Sequence, residues 1–316
     1  MIRLLVVAFI WGWSFLFIKV ALEGAPPVFV AWGRVILGAA VLLPFLYAAR
    51  EKLPERRMWG HVAVQGTFMA VVPFTLIAWG EQHITSALAS VLNAATPLFA
   101  AVFAALLLRE RLRPPQLAGL GLGLVGVATL AGIGGSDLAA SSLAGALAVV
   151  GAAASYGLAF PYARRFLPGL SAMQLAIAPS LVAAILLAGP AVTAAVTEGL
   201  APTPLRVLCL LLLGVLGTGY ALMLNYQTLR QLGPTTASLV TYLIPVVGVA
   251  VGVLVLGEPF SLRLVLGGVL IVLSVALVQG RLLGPAPAPP PAPPRREQPS
   301  VRGAGTPEAD APCRAG

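Results

Sequence analysis

The sequence is poor in charge, and poorer still in acid. Only 10% of its 316 residues are Asp, Glu, Lys or Arg, and 11 in all are acidic. A soluble domain carries about a quarter charged residues, so this chain lacks the polar groups needed to cover a soluble fold of its length. Histidine is almost missing. His61 and His83 stand apart from each other, and the two cysteines, Cys209 and Cys313, make neither a disulfide framework nor a metal-ligand spacing. No metal and no cofactor is expected. The chain also lacks a paired-carboxylate motif, H-E-x-x-H, G-x-S-x-G and a P-loop. These are the recognisable routes to acid/base, metal-assisted, nucleophilic and ATP-driven chemistry. No catalytic residue is expected and the chain reads as something other than an enzyme.

What is present is hydrophobicity, at 59% of residues. Membrane-spanning helices need about 20 mostly apolar residues. Runs of that kind lie at 3–22, 27–49, 59–80, 85–108, 115–134, 143–163, 171–190, 205–228, 234–256 and 262–281. They are continuously apolar, whereas barrel strands alternate. The fold class is therefore an all-α polytopic membrane protein with ten transmembrane helices. The first run follows Arg3 as a signal peptide would, but it is long, carries Trp11, Trp13 and Lys19, and has no clear A-x-A site after it. It reads as a retained span. The seventh run is taken to end near Pro190. Residues 282–316 are rich in Pro, Ala and polar residues, a composition that buries no core and reads as a disordered tail.

The net charge of +9 sits in short clusters between the apolar runs. That placement reads as a topology signal and not as a nucleic-acid surface. One set of loops holds Arg50, Lys52, Arg56, Arg57, Arg109, Arg111, Arg113, Arg164, Arg165 and Arg230, and the other set holds only Arg206 and Arg263. The rule that cytoplasmic loops collect Lys and Arg puts both termini in the cytoplasm of a bacterial cell. The expected surroundings are membrane lipid, with no nucleic acid.

A forward shift of 148 positions carries Pro97 onto Pro245, Glu110 onto Glu258, Ala89 onto Ala237, Ser90 onto Ser238 and Gly119 onto Gly267. Apolar matches are cheap in such a sequence, whereas a shared Pro and Glu at one offset are not. The chain thus divides into 1–136 and 137–281, five spans each. Five is odd, so the second copy crosses in the opposite sense. Inverted repeats of this kind build transporters with substrate bound near the midplane.

The residues that carry this pattern also resemble a known family. Trp11-Gly12-x-Ser14 through Lys19, Arg34, and Ala87 through Pro97 to Glu110-Arg111-Leu112 match in the first half. Leu232-Gly233-Pro234, Pro245 and Gly257-Glu258 match in the second. Over residues 1–281 the chain resembles an EamA-type member of the drug/metabolite transporter superfamily. The resemblance implies a ten-helix carrier with a central cavity that moves metabolites, amino acids or drugs, often outward. The small multidrug-resistance branch relies on a buried Glu in its first span. None is present here, which favours metabolites or amino acids over cationic drugs.

Charged groups inside a span are costly, about 2.5–3.5 kcal/mol each on insertion scales. Lys19, Arg34 and Glu81 are such groups, all on the side away from the basic loops. Lys19 and Arg34 offer positive charge to a substrate, or Lys19 snorkels to the interface while Arg34 pairs with Glu81 or with backbone carbonyls. Glu81 is a candidate counter-ion or coupling group. Trp11, Ser14, Asn93, Tyr156 and Tyr242 are candidate cavity-lining residues, with Asn225 and Tyr226 as further polar positions nearer an interface. Pro97 and Pro245 interrupt helical hydrogen bonding and serve as hinges or fixed kinks. Glu110 and Glu258 follow helix ends, where the macrodipole disfavours acid, so each needs a specific partner. Arg109 and Arg113 are the obvious ones for Glu110.

The function expected is a secondary transporter of a small metabolite, amino acid or drug, exporting by alternating access, as a monomer or homodimer. A passive pore, a non-transporting membrane subunit and a lipid-modifying enzyme are the competing readings.

Overall fold

The computed structural model of the chain describes residues 2–131, 140–225, 227, 228 and 240–280, and is all-helical throughout them. The pairs of the 148-residue shift at Ala237 and Ser238, the motif at 232–234, Arg230, Tyr226 and the tail lie outside the described residues. The helices are α1 (Ile2–Leu22), α2 (Pro27–Ala48), α3 (Arg56–Glu81), α4 (Ser86–Leu108), α5 (Pro114–Ala131), α6 (Ala140–Phe166), α7 (Ala172–Glu198), α8 (Pro204–Asn225), α9 (Val240–Leu254) and α10 (Leu262–Val278). Eight are long and apolar enough to cross a membrane, and α9 and α10 are shorter apolar helices.

Local chemistry sets the ends. Thr85, Ser171, Thr203 and Ser261 each accept a bond from the backbone N–H three residues on, and Gln174 completes a capping box with Ser171. One boundary differs from the sequence reading. Helix α7 runs through both Pro179 and Pro190 to Glu198. A membrane helix tolerates an interior proline where neighbouring groups take up the freed carbonyl, so Pro190 does not end this span.

The packing displays the repeat. Helix α1 packs on α9 as α6 packs on α4, α2 on α8 as α7 on α3, and α1 on α8 as α6 on α3. The pairs α2–α7, α4–α9 and α5–α10 also pack together. Exchanging each helix of the first five for its counterpart in the second five maps these pairs onto one another. Two interlocked copies related by a pseudo-two-fold produce this pattern. The face where α1 begins carries the basic turns, and is called the Arg-rich face below. The other is the opposite face.

Between helices in lipid there is little hydrophobic drive, so close approach of small residues supplies the attraction. Two small-xxx-small pairs, Gly119 with Gly123 and Gly248 with Gly252, sit in such crossings. Gly119 and Gly123 face α10 and Leu98, while Gly248 and Gly252 face Ser90 and Ala87 of α4. A Cβ on Gly248 would lie 2.5 Å from the Ser90 Cβ. Gly248→Val is expected to destabilise the bundle by about 1–3 kcal/mol through overpacking, read as a lower detergent-melting temperature of the purified protein. Gly121→Val, at a position with no neighbour within 4 Å of an added Cβ, is the matched control and should melt like the parent.

Candidate functional site

Two helices change winding at matching places. Residues Thr67–Val71 of α3 and Leu213–Tyr220 of α8 are π-helical, and the 148-residue shift carries the first inside the second. A π turn widens the helix and leaves carbonyls poorly satisfied, which is why it recurs at functional sites. Here each is met by the first helix of the other repeat. The Trp11 Nε1–H of α1 donates to Gly217 O at 2.9 Å, and the Ser155 hydroxyl of α6 donates to Phe68 O at 2.8 Å. Ser14 lies against the same turn of α8, its Oγ 2.8 Å from where a Cβ on Gly217 would stand. Its own hydroxyl donates to Ile10 O at 2.9 Å.

Arg34 of α2 points into the α8 turn. Its Nε–H donates to Thr218 Oγ1 at 2.9 Å, and the guanidinium lies 4.0 Å from the centre of the Phe74 ring of α3. Phe74 meets Tyr156 of α6 edge-on, with ring centres 6.3 Å apart. Arg34 is 8% exposed. Among the described residues the ion pairs are Arg57–Glu55, Arg164–Glu110 and Arg206–Glu23, so Arg34 has no acidic partner there and does not pair with Glu81. Trp11, Ser14, Arg34 and Tyr156 thus gather around the two π turns from three helices, α1, α2 and α6. Phe74, Ser155 and Thr218 complete the cluster and were missed in the sequence. Only the glycines at 66, 214, 217 and 219 hinted at irregular winding.

A second cluster lies toward the opposite face. Lys19 Nζ donates to the backbone oxygens of Glu81 and Ile84 at 2.6 and 3.1 Å, tying α1 to the turn between α3 and α4. Ser86, at the start of α4, donates its hydroxyl to Glu81 Oε2 at 2.8 Å. Glu258, in the turn after α9, accepts from the backbone N–H of Ser86 and of Ala87 at 2.7 and 2.9 Å. A carboxylate on a helix N-terminus is favourably placed for both hydrogen bonding and the macrodipole. The partner required by Glu258 is therefore the N-terminus of α4, in the other repeat.

Its counterpart Glu110 behaves differently. It pairs with Arg164 at 2.8 Å in an exposed bridge, and neither Arg109 nor Arg113 forms an ion pair with it. The neighbours in sequence are displaced because Arg109 takes a left-handed turn, φ 56°. The prolines also differ. Pro97 opens the second segment of α4 (Thr96–Leu108) after a break at Ala94–Ala95, while Pro245 lies inside the continuous helix α9. Asn93 stands at that break, its side-chain oxygen buried without a partner among the described residues. Tyr242 donates its hydroxyl to Gln279 Oε1 at the α10 end at 2.9 Å. Asn225 ends α8.

Comparison with known proteins agrees with this architecture. The model of the EamA-like transporter family matches residues 1–132 and again 143–279. A Bacillus subtilis protein, "Uncharacterized transporter YoaV", is 25% identical over 86% of this chain and 93% of its own length. A Salmonella typhimurium protein, "Probable amino-acid metabolite efflux pump", is 30% identical over 84% of this chain and 90% of its own. A Streptantibioticus cattleyicolor protein, "Probable terminal-alkyne amino-acid exporter", is 28% identical over 87% of this chain and 91% of its own. A solved crystal structure superposes with a TM-score of 0.63 at 22% identity, covering 90% of this chain and 98% of that one. Two tandem family matches, ten apolar helices and exchange-symmetric packing describe one kind of molecule: the chain belongs to the EamA-like transporter family and is an integral membrane transporter, not an enzyme.

Proposed function

We propose that the chain exports an amino acid, or a closely related metabolite bearing a carboxylate, across the bacterial cytoplasmic membrane by alternating access. Arg34 carries this reading. It is a buried cation inside the bundle without an acidic partner among the described residues. A lone charge at such a site is costly unless a ligand compensates it. The planar guanidinium has Nε engaged by Thr218 and its face on Phe74, an orientation that presents the remaining N–H groups as a fork for a carboxylate. Trp11, Ser14, Asn93 and Tyr156 line the path around it, with Tyr242 further along. Pro97 and the break at Ala94–Ala95 supply a hinge, and Pro245 its stiffer counterpart.

The direction follows the names of the amino-acid-exporting relatives and the loop charges. With both termini cytoplasmic, the opposite face is extracellular and the Lys19–Glu81–Ser86–Glu258 cluster is the outer seal. The repeats are 1–136 and 137–281, followed by the tail at 282–316, and one chain supplies both halves of the carrier whether it acts as a monomer or a homodimer. Without an ATP-binding motif, transport draws on a gradient.

An export screen of an overexpressing strain, followed by uptake of labelled amino acids into proteoliposomes, tests this. Saturable uptake with counterflow is expected. Uptake that rises linearly without counterflow marks a pore and overturns the carrier reading.

A further inference from the structure

Recognition of a carboxylate by Arg34 leaves the cluster at the opposite face unexplained. Glu81 ends α3 and is 0% exposed. Its Oε2 accepts from the Ser86 hydroxyl at 2.8 Å, and its Oε1 is buried with no partner among the described residues. Lys19 directs its ammonium at the backbone oxygens of Glu81 and Ile84 and not at the carboxyl. Glu258 approaches the same serine from the other repeat, through the Ser86 N–H. Among the described residues, the charged groups near enough to act electrostatically on Glu81 are Lys19 from α1, Glu258 from the turn after α9 and Arg34 from α2. Two carboxyls share one serine, one at its hydroxyl and one at its amide.

A sealed carboxyl with an unpartnered oxygen is compatible with a proton and poorly compatible with a charge. Two carboxylates on one residue repel, and one of them is best neutralised. We propose that Glu81 is the proton-binding site that couples transport to a proton gradient, and that Ser86 passes its state to the Glu258 seal. With the proton bound, the neutral carboxyl accepts the Ser86 hydroxyl and Glu258 stays docked on α4. When that proton leaves to water, the Glu81 carboxylate draws the Lys19 ammonium away from the turn carbonyls. It also repels Glu258 from Ser86, and the seal opens. Binding a proton from water on the opened side closes it again. The coupling ion is thus a proton, and the device spans both repeats because Glu81 and Ser86 belong to the first and Glu258 to the second.

This rests on the exporter reading for its direction but not for its chemistry, and two measurements separate them. Infrared spectra of the full chain in liposomes at neutral pH, in H2O and D2O, are expected to show a deuterium-shifted C=O band of a protonated carboxyl. The band should vanish in Glu81→Gln, which keeps the shape and the Ser86 bond, and return in shifted position in Glu81→Asp. No band in the parent, or the same band in Glu81→Gln, overturns the proposal whatever the substrate. In proteoliposomes with a labelled amino-acid mixture, one-for-one exchange predicts accumulation by about tenfold per pH unit of imposed gradient. Glu81→Gln should lose that accumulation while retaining exchange of internal for external amino acid. Parent transport indifferent to pH overturns proton coupling and leaves export standing. Failure to transport any amino acid overturns the export reading, and the infrared result still decides Glu81.

Discussion

Arg34→Ala is expected to reduce transport by about 100-fold while the protein still inserts and folds. The fold survives because Arg34 has no acidic partner among the described residues. Removing one member of a buried ion pair strands the other charge and costs about 3–5 kcal/mol, and no charge is stranded here. The group left behind is the Thr218 hydroxyl, which has Leu213 O as its own acceptor at 3.5 Å. Transport fails because a fork of donors to a carboxylate contributes about 1.5–3 kcal/mol per charged hydrogen bond, and two such bonds account for the loss. Arg34→Lys keeps the charge but loses the planar fork, so it should recover only a small part of the activity. Thr218→Val removes the bond to Arg34 without removing the charge, and separates a binding role from a bracing one. Transport should fall modestly in Thr218→Val and drastically in Arg34→Ala, in proteoliposomes with equal amounts of inserted protein. Equal losses in the two variants would make Arg34 a brace between α2 and α8.

Glu258→Ala should open the outer seal. It leaves the N–H groups of Ser86 and Ala87, two residues each 1% exposed, without their acceptor. A buried unsatisfied donor costs about 1–3 kcal/mol, and solvation from the opened face relieves it, so the equilibrium moves toward the open arrangement. Glu258→Gln keeps one carbonyl oxygen and so one of the two bonds, and should fall between parent and Ala. The reporter is Ser90→Cys, one turn further along α4 at a buried position behind Gly248, with Cys209 and Cys313 replaced by serine. Labelling by a membrane-impermeant maleimide added outside intact cells is expected to rise by about tenfold or more in Glu258→Ala. Unchanged labelling would show that the carboxylate does not hold this face closed.

The halves are not equal, and that inequality has a mechanical meaning. At matching positions Glu258 is half-buried against a helix N-terminus, while Glu110 is exposed on Arg164. At matching prolines one helix is broken and the other continuous. Two inverted copies in identical conformations would present both faces alike, whereas a carrier closed on one side requires them to differ.

The span count was readable because it rests on composition. About 20 apolar residues in a row have one stable solution in lipid, a helix with its backbone bonds internal. The repeat was readable because Pro and Glu are rare and costly in apolar runs, so their recurrence at one offset carries information. Lys19, Arg34 and Glu81 stood out for the same reason. Partners were another matter. Arg109 and Arg113 adjoin Glu110 in sequence, yet a left-handed residue turns the chain and Arg164, more than fifty positions away, makes the bond. Pro190 looked like a helix end and is an interior residue of α7, since whether a helix outlasts a proline depends on what surrounds it. The π turns at Thr67–Val71 and Leu213–Tyr220 left only scattered glycines as a sign.

By itself the sequence determined class, number of spans, repeat and the short roster of charged residues inside the membrane. These follow from transfer energies that each residue carries wherever it sits. Only the tertiary structure decided that Arg34 meets a threonine and a phenylalanine in place of an acid, that Lys19 holds a turn, and that Glu258 crosses to the other repeat to seal α4. Those outcomes depend on which helices interlock, and the contacts at stake lie 40 to 184 residues apart along the chain. The scarcity of charge that first set this chain apart is also why each remaining charge matters, because in an apolar bundle every one must find a partner, a proton or a substrate.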